Sequence, residues 1–300
     1  MDTVTTGSNN VAIGFDSLGS ITSGAGNVAI GTEVAKAMNG GESANVIIGH
    51  QSGLSLDNDS VDNNVIIGHQ AVGGNSGARN CSENVFIGKN SGGGAWAGTG
   101  RFNVAIGMNT FLGAIDGAEN NVVIGHGANI SAVGGDGQIA IGQGVTCIAD
   151  NTITVGIGSN TASLGLDGSD TSWASASSDK RLKENIELSL AGLDVINDLR
   201  PVTYNWKKAK DVQKDLPQYK DSNEPVLGTK YGERLHGFIA QEVKEVIDNH
   251  DELKDGFKMW KLKDDGTQTV ADGNLIPILV KAVQELSTEI NNLKQQLKDK

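Results

Sequence analysis

One five-residue unit, Asn-Val-x-Ile-Gly or a close variant, recurs through the first half of the chain. It begins at Asn10, Asn27, Asn45, Asn64, Asn84, Asn103 and Asn121, and with Gln in place of Asn at Gln138. The spacings are 17, 18, 19, 20, 19, 18 and 17 residues. A degenerate copy, Thr152-Ile153-Thr154-Val155-Gly156, closes the array. Each copy is a three-residue β segment and a glycine, followed by a return rich in Gly, Ser, Asn and Ala. Short strands at regular spacing with turn residues between them predict a stacked, β-roll or β-helix-like architecture.

Alternation along each copy assigns its faces. Val11 and Ile13 share one face and Ala12 points to the other. The first face is expected to fill the coil. The second carries Ala12, Ala29, Ile47, Ile66, Phe86, Ala105, Val123 and Ala140 and is apolar throughout. A strand apolar on both faces is buried on both, which predicts packing against other copies of the chain, three around an axis. The leading Asn is expected to hydrogen-bond its equivalent one coil away. The closing Gly supplies a positive φ where the chain bends.

Composition breaks once, at Ser178-Asp179. Residues 1–178 hold 34 of the 41 glycines, no proline, four Lys or Arg and fourteen Asp or Glu; from Asp179 onward come 20 Lys or Arg, 22 Asp or Glu and all four prolines. The chain therefore reads as a repetitive β part at 1–158, a small-residue junction at 159–178, and an α+β domain at 179–300. The acidic first part disfavours nucleic acid, which needs clustered Lys and Arg. Its fourteen acids stand at irregular places, against the paired carboxylates of a glycan hydrolase. Gly92-Gly93-Gly94 and Gly134-Gly135 precede no helical pattern, against a phosphate loop. Cys81 and Cys147 read as buried thiols. No signal peptide opens the chain and no apolar run reaches about 18 residues, so neither export nor membrane insertion is indicated.

The position after each repeat glycine reads Phe15, Thr32, His50, His69, Lys89, Met108, His126 and Gln143. A stacked histidine site for a metal or anion is one reading; a tolerant surface position is the other, and the variety favours it. No metal or cofactor is expected. Receptor contacts fit the longer returns, Ser52–Asn63 and Gly92–Arg101. Trp96, alone among glycines, is the receptor candidate, though it equally suits a plug in a neighbouring chain.

Beyond the break, Leu190–Leu199 has helical spacing, Val202–Trp206 alternates as a strand, and Gly237–Ile247 passes from strand to helix. Gln213–Tyr231 reads as a polar insertion. Within 275–299, Ile276, Leu279, Val283, Leu286, Ile290, Leu293 and Leu297 are spaced 3, 4, 3, 4, 3, 4, an a/d seam of a coiled coil among chains.

Four ordered motifs carry a resemblance. They are Ser178-Asp179-x-x-Leu182-Lys183-x-Asn185-Ile186, Leu199-Arg200-Pro201-Val202-x-Tyr204-x-Trp206, Gly237-Phe238-Ile239-Ala240-Gln241-Glu242-Val243, and Leu275-Ile276-Pro277-x-Leu279. Together they resemble the self-cleaving intramolecular chaperone domains at the C-termini of phage tailspikes and tail fibres, the endosialidase type. The repeats resemble the head repeats of bacterial trimeric adhesins and the glycine-rich repeats of phage fibre shafts.

The resemblance implies a homotrimeric fibre of the virion, assembled in the host cytoplasm, that binds a host surface receptor of glycan type. Its chaperone would be removed after use by a Ser-Lys serine protease, with Ser178 essential, Lys183 its base and the cut at Ser178–Asp179. Lys180 and Arg181 are expected to help lower the pKa of the base. Attack of Ser178 on its own carbonyl would close a four-membered ring. Attack one bond upstream, an activated water and help from Asp179 all stay open. The plain alternative is a Ser N-cap opening a helix beside a solvated Lys. A trimeric bacterial surface adhesin with a permanent C-terminal cap is the alternative for the whole chain.

Overall fold

The computed structural model describes residues 5–57, 60–74, 80–93, 99–112, 116–168, 170, 173–175, 178–227 and 230–299. Two compact units emerge, Met1–Glu184 and Asn185–Lys300.

The first unit is a β-solenoid. Val11–Ile13, Val28–Ile30, Val46–Ile48, Val65–Ile67, Val85–Ile87, Val104–Ile106, Val122–Ile124 and Ile139–Ile141 stack as parallel strands of one sheet. Equivalent residues lie directly over one another, as in Val46 on Val65 and Ile48 on Ile67. The Asn ladder forms as the sequence predicts. Asn45 donates its backbone N–H and its Nδ2 to Asn27 Oδ1, both at 3.0 Å, and its own Oδ1 receives the same pair from Asn64. Its Nδ2 also reaches the Val61 carbonyl at 2.7 Å. The column from Asn27 to Asn121 is buried and its amides are bonded.

That column corrects the assignment of the faces. It is the middle residue of each strand that points inward: Ala29, Ile47, Ile66, Phe86, Ala105, Val123 and Ala140 are 0–1 % exposed. The flanking Val and Ile, expected inside, form the outer face; they are half-buried in the middle coils and more open in the first, where Val11 is 45 % and Ile13 58 % exposed. The reason is parity. A buried Asn at the head of a copy sends the residue two places on to the same side, and Leu18, Val34, Val72 and Phe111 from the returns close the interior around it. Spacing widens from 17 to 20 residues and narrows again to 17 along the array.

The glycine after each strand sits where two backbones nearly touch. Gly49 has φ +134°, and a Cβ there would lie 2.3 Å from the Gly68 carbonyl oxygen. A side chain is excluded both by contact and by conformation.

Thr152–Ile157 pairs with Ile139–Ile141 in parallel and with Asn160–Gly165 antiparallel. The small-residue junction 159–178 therefore begins as a strand. The Thr154 and Ser163 hydroxyls, 3.1 Å apart and buried, pair at the position where earlier copies place an apolar side chain.

In the second unit, α1 (Leu193–Asp198), α2 (Ala240–Asn249), α3 (Asp251–Lys254) and α4 (Ile276–Lys298) accompany two antiparallel strand pairs, Val202–Tyr204 with Leu235–Gly237 and Trp260–Leu262 with Gln268–Val270. Val195, Val243, Ile247, Leu253, Met259 and Ile278 belong to its core. Pro277 stands in the first turn of α4, where its missing N–H has no intrahelical partner to lose. Helix α4 has two apolar faces. Ile278 and Ala282 are buried on the domain, whereas the seam Ile276, Leu279, Val283, Leu286, Ile290, Leu293 and Leu297 is 42–74 % exposed. The polar segment 213–227 folds back through bonds such as Val226 N–H to the Lys207 carbonyl.

Candidate functional site

The site is built from six consecutive residues. Asp179 is extended (φ −64°, ψ 130°) and caps a single 3-10 turn, Lys180–Leu182, by accepting a hydrogen bond from the Arg181 N–H at 2.9 Å. Asp, rather than Ser178, is thus the N-cap, a role a short carboxylate suits because it reaches back to the open amides of the first turn. Leu182 N–H bonds the Asp179 carbonyl at 3.0 Å and Lys183 N–H the Lys180 carbonyl at 3.2 Å. The turn folds the chain back, and Lys183 Nζ donates to Ser178 Oγ at 2.8 Å.

Both Ser178 and Lys183 are exposed in the single chain. Arg181, expected to act on the base, is turned to Asp179 instead. Its Nε lies 3.1 Å from both Asp179 oxygens and its Nη2 2.5 Å from Oδ2. The Arg181 hydrogen bonds hold the Asp179 carboxyl below the usual carboxylate range. Sequence reasoning missed this pair; the signal was an Asp two residues before an Arg at the start of a short turn.

A lysine becomes a base only where water or competing charge is removed from it. The 2.8 Å separation of Ser178 Oγ and Lys183 Nζ is within the reach a general base needs, with the ammonium as donor in this contact.

Other candidates fall elsewhere. Trp96 lies outside the described residues. His50 and His69 stack on adjacent coils with ring centroids 5.3 Å apart and planes 11° apart. Among the described residues no cluster of three or more His, Cys, Asp or Glu could hold a metal ion. Cys81 and Cys147 are both buried. No described helix is long and apolar enough to cross a membrane.

Residues 178–252 match the family model described as chaperone of endosialidase. The match opens on Ser178 and ends before α4. No curated protein matches the chain, and no solved structure does. The segment 178–252 is similar to the chaperone of endosialidase, and a β-solenoid precedes it.

Proposed function

We propose that the chain is the C-terminal part of a phage receptor-binding fibre whose last domain trimerises it and is then cut away at Ser178–Asp179. The observation that carries this reading is the 2.8 Å contact of Lys183 Nζ with Ser178 Oγ, on the residue where the chaperone match begins. The match supports a chaperone role of the tail-fibre kind for the C-terminal part. Two apolar surfaces support a trimer. One is the a/d seam of α4. The other is the outer solenoid face, where Val and Ile columns repeat with the coils. An ordered hydrophobic face of that length on a soluble fibre requires a partner, and identical columns favour an identical chain.

Folding gives the chaperone its task. Slipping a repeat array by one coil pairs near-identical strands, so register is weakly specified, and non-local pairing of three chains is slow. A coil that associates first fixes chain number and register. Burial in the assembled trimer would give Lys183 the dry surroundings a base needs, so that the cut follows assembly. Hydrolysis takes up one water and leaves a carboxylate and an amine; the remaining fibre persists through a high unfolding barrier.

The test is purification of wild type, Ser178→Ala and Lys183→Ala. Wild type releases a fragment of 122 residues starting at Asp179, and both variants stay whole yet scatter light as three times 31.2 kDa. Wild type that stays whole removes the protease claim. Soluble trimers without 179–300 remove the chaperone claim. Glycan-array binding of the cut trimer then tests for a host-surface sugar as receptor.

A further inference from the structure

We propose that Asp179 and Arg181 are positioning residues for the Ser178–Lys183 pair, a role that rests on the self-cleavage reading above. Five residues of extended chain span about 17 Å, too far for a lysine to reach back to a serine hydroxyl. The chain must reverse between them, and the turn Lys180–Leu182 is what reverses it. A lone 3-10 turn is a poor structure, with strained hydrogen bonds and few of them. Here Asp179 holds it from both ends of its own residue. The carboxylate takes the Arg181 N–H at 2.9 Å and the carbonyl takes the Leu182 N–H at 3.0 Å. The Arg181 guanidinium then grips the same carboxylate through two nitrogens, the forked geometry that fixes direction as well as distance.

As an isolated surface ion pair this would contribute little to stability. Its effect lies in the population of the turn. With the pair broken the turn opens, Lys183 leaves Ser178, and the dyad has to be found again by diffusion. The arrangement is also asymmetric about the bond. Both members of the clamp lie on the released side of Ser178–Asp179, so after the cut nothing in it holds Ser178.

The test follows first-order self-cleavage of the full chain against pH for wild type, Arg181→Ala, Arg181→Lys, Asp179→Asn and Asp179→Ala, with light scattering confirming the trimer. Arg181→Ala and Asp179→Ala are expected to lower the plateau rate about ten- to a hundred-fold, the scale of a misplaced catalytic group, without moving the midpoint of the pH profile. Arg181→Lys and Asp179→Asn, which each keep one of the bonds, should recover part of the rate. Arg181→Ala that cuts at the wild-type rate overturns the proposal, as does an unchanged plateau with a moved midpoint, which would mean that the pair acts on protonation. A second measurement stands apart from cleavage: amide exchange at Leu182 and Lys183 in the uncut Ser178→Ala chain. Adding Arg181→Ala should remove their protection, and equal protection with and without Arg181 overturns the proposal. Wild type that never cuts would sink the self-cleavage reading, whereas loss of protection would still show the clamp to hold the turn.

Discussion

Glu285, on the last helix, accepts a hydrogen bond at Oε2 from the Leu193 N–H at 2.8 Å. The bond caps α1 from a residue 92 positions away in the chain. Glu285 also pairs with Lys281. Its carboxyl is held below the usual range, first by the Leu193 N–H and then by Lys281. The first turns of α4 belong in this way to the domain core, through Ile278 and Ala282, and its later turns run on with the seam exposed.

The two roles of α4 should separate by mutation. A Cβ at Gly192 would lie 2.3 Å from Glu285 Oε2 and push that carboxylate aside. In the uncut Ser178→Ala chain, Glu285→Ala and Gly192→Ala should each speed amide exchange in α1 and leave the trimer intact. Leu286→Asp should do the reverse, reducing the mass by light scattering and sparing α1. A Leu286→Asp chain that remains trimeric would remove the coil from the assembly argument.

Asn84→Ala should weaken the solenoid at its widest part. The amide donates to Asn64 Oδ1, Ser82 O and Gly100 O, and its oxygen accepts from Asn103. Removing a buried group and orphaning its partners costs about 1–3 kcal/mol, read as a lower midpoint in denaturant. Thr32→Ala, at an exposed position with ordinary backbone, is the control and should change the midpoint far less.

Gly49→Ala should be worse tolerated than alanine at any outer Val or Ile of the same coil. The methyl meets the Gly68 carbonyl and the residue is held at φ +134°. Insoluble or strongly destabilised protein is expected, against near-normal folding for Val46→Ala in the single chain. Equal yields of the two variants would contradict the stacking.

His250 predicts a pH dependence. Nε2 faces Asp198 Oδ2 at 2.9 Å and Nδ1 faces Glu252 Oε1 at 3.2 Å, so both bonds form only when both ring nitrogens carry protons. The Asp198 bond raises its pKa, with Glu252 adding to it against burial. A raised folded pKa gives stability that is complete below the ordinary histidine range and lost as pH rises through the folded value. The melting temperature of wild type should therefore exceed that of His250→Gln by more at pH 6 than at pH 9. A gap that is constant with pH would show that the ring stays neutral.

The solenoid was legible in the sequence because its period is local: Asn, strand and Gly recur every 17–20 residues, and each has a mechanical duty that its residue type declares. The α4 seam was legible for the same reason, as a 3-4 spacing within one helix. Ser178 and Lys183 were legible through a resemblance in motif rather than through chemistry. What the sequence left open was direction. Alternation says that Val11 and Ala12 oppose one another but not which is inside. Only the closed coil, with Asn amides bonded along its interior and Phe111 or Val72 filling it from the returns, decides that the middle residue is core. The cap from Glu285 to Leu193 and the His250 bridge to Asp198 join residues 92 and 52 positions apart. No local pattern encodes such pairs, because they exist only once packing of the hydrophobic core has brought distant segments together.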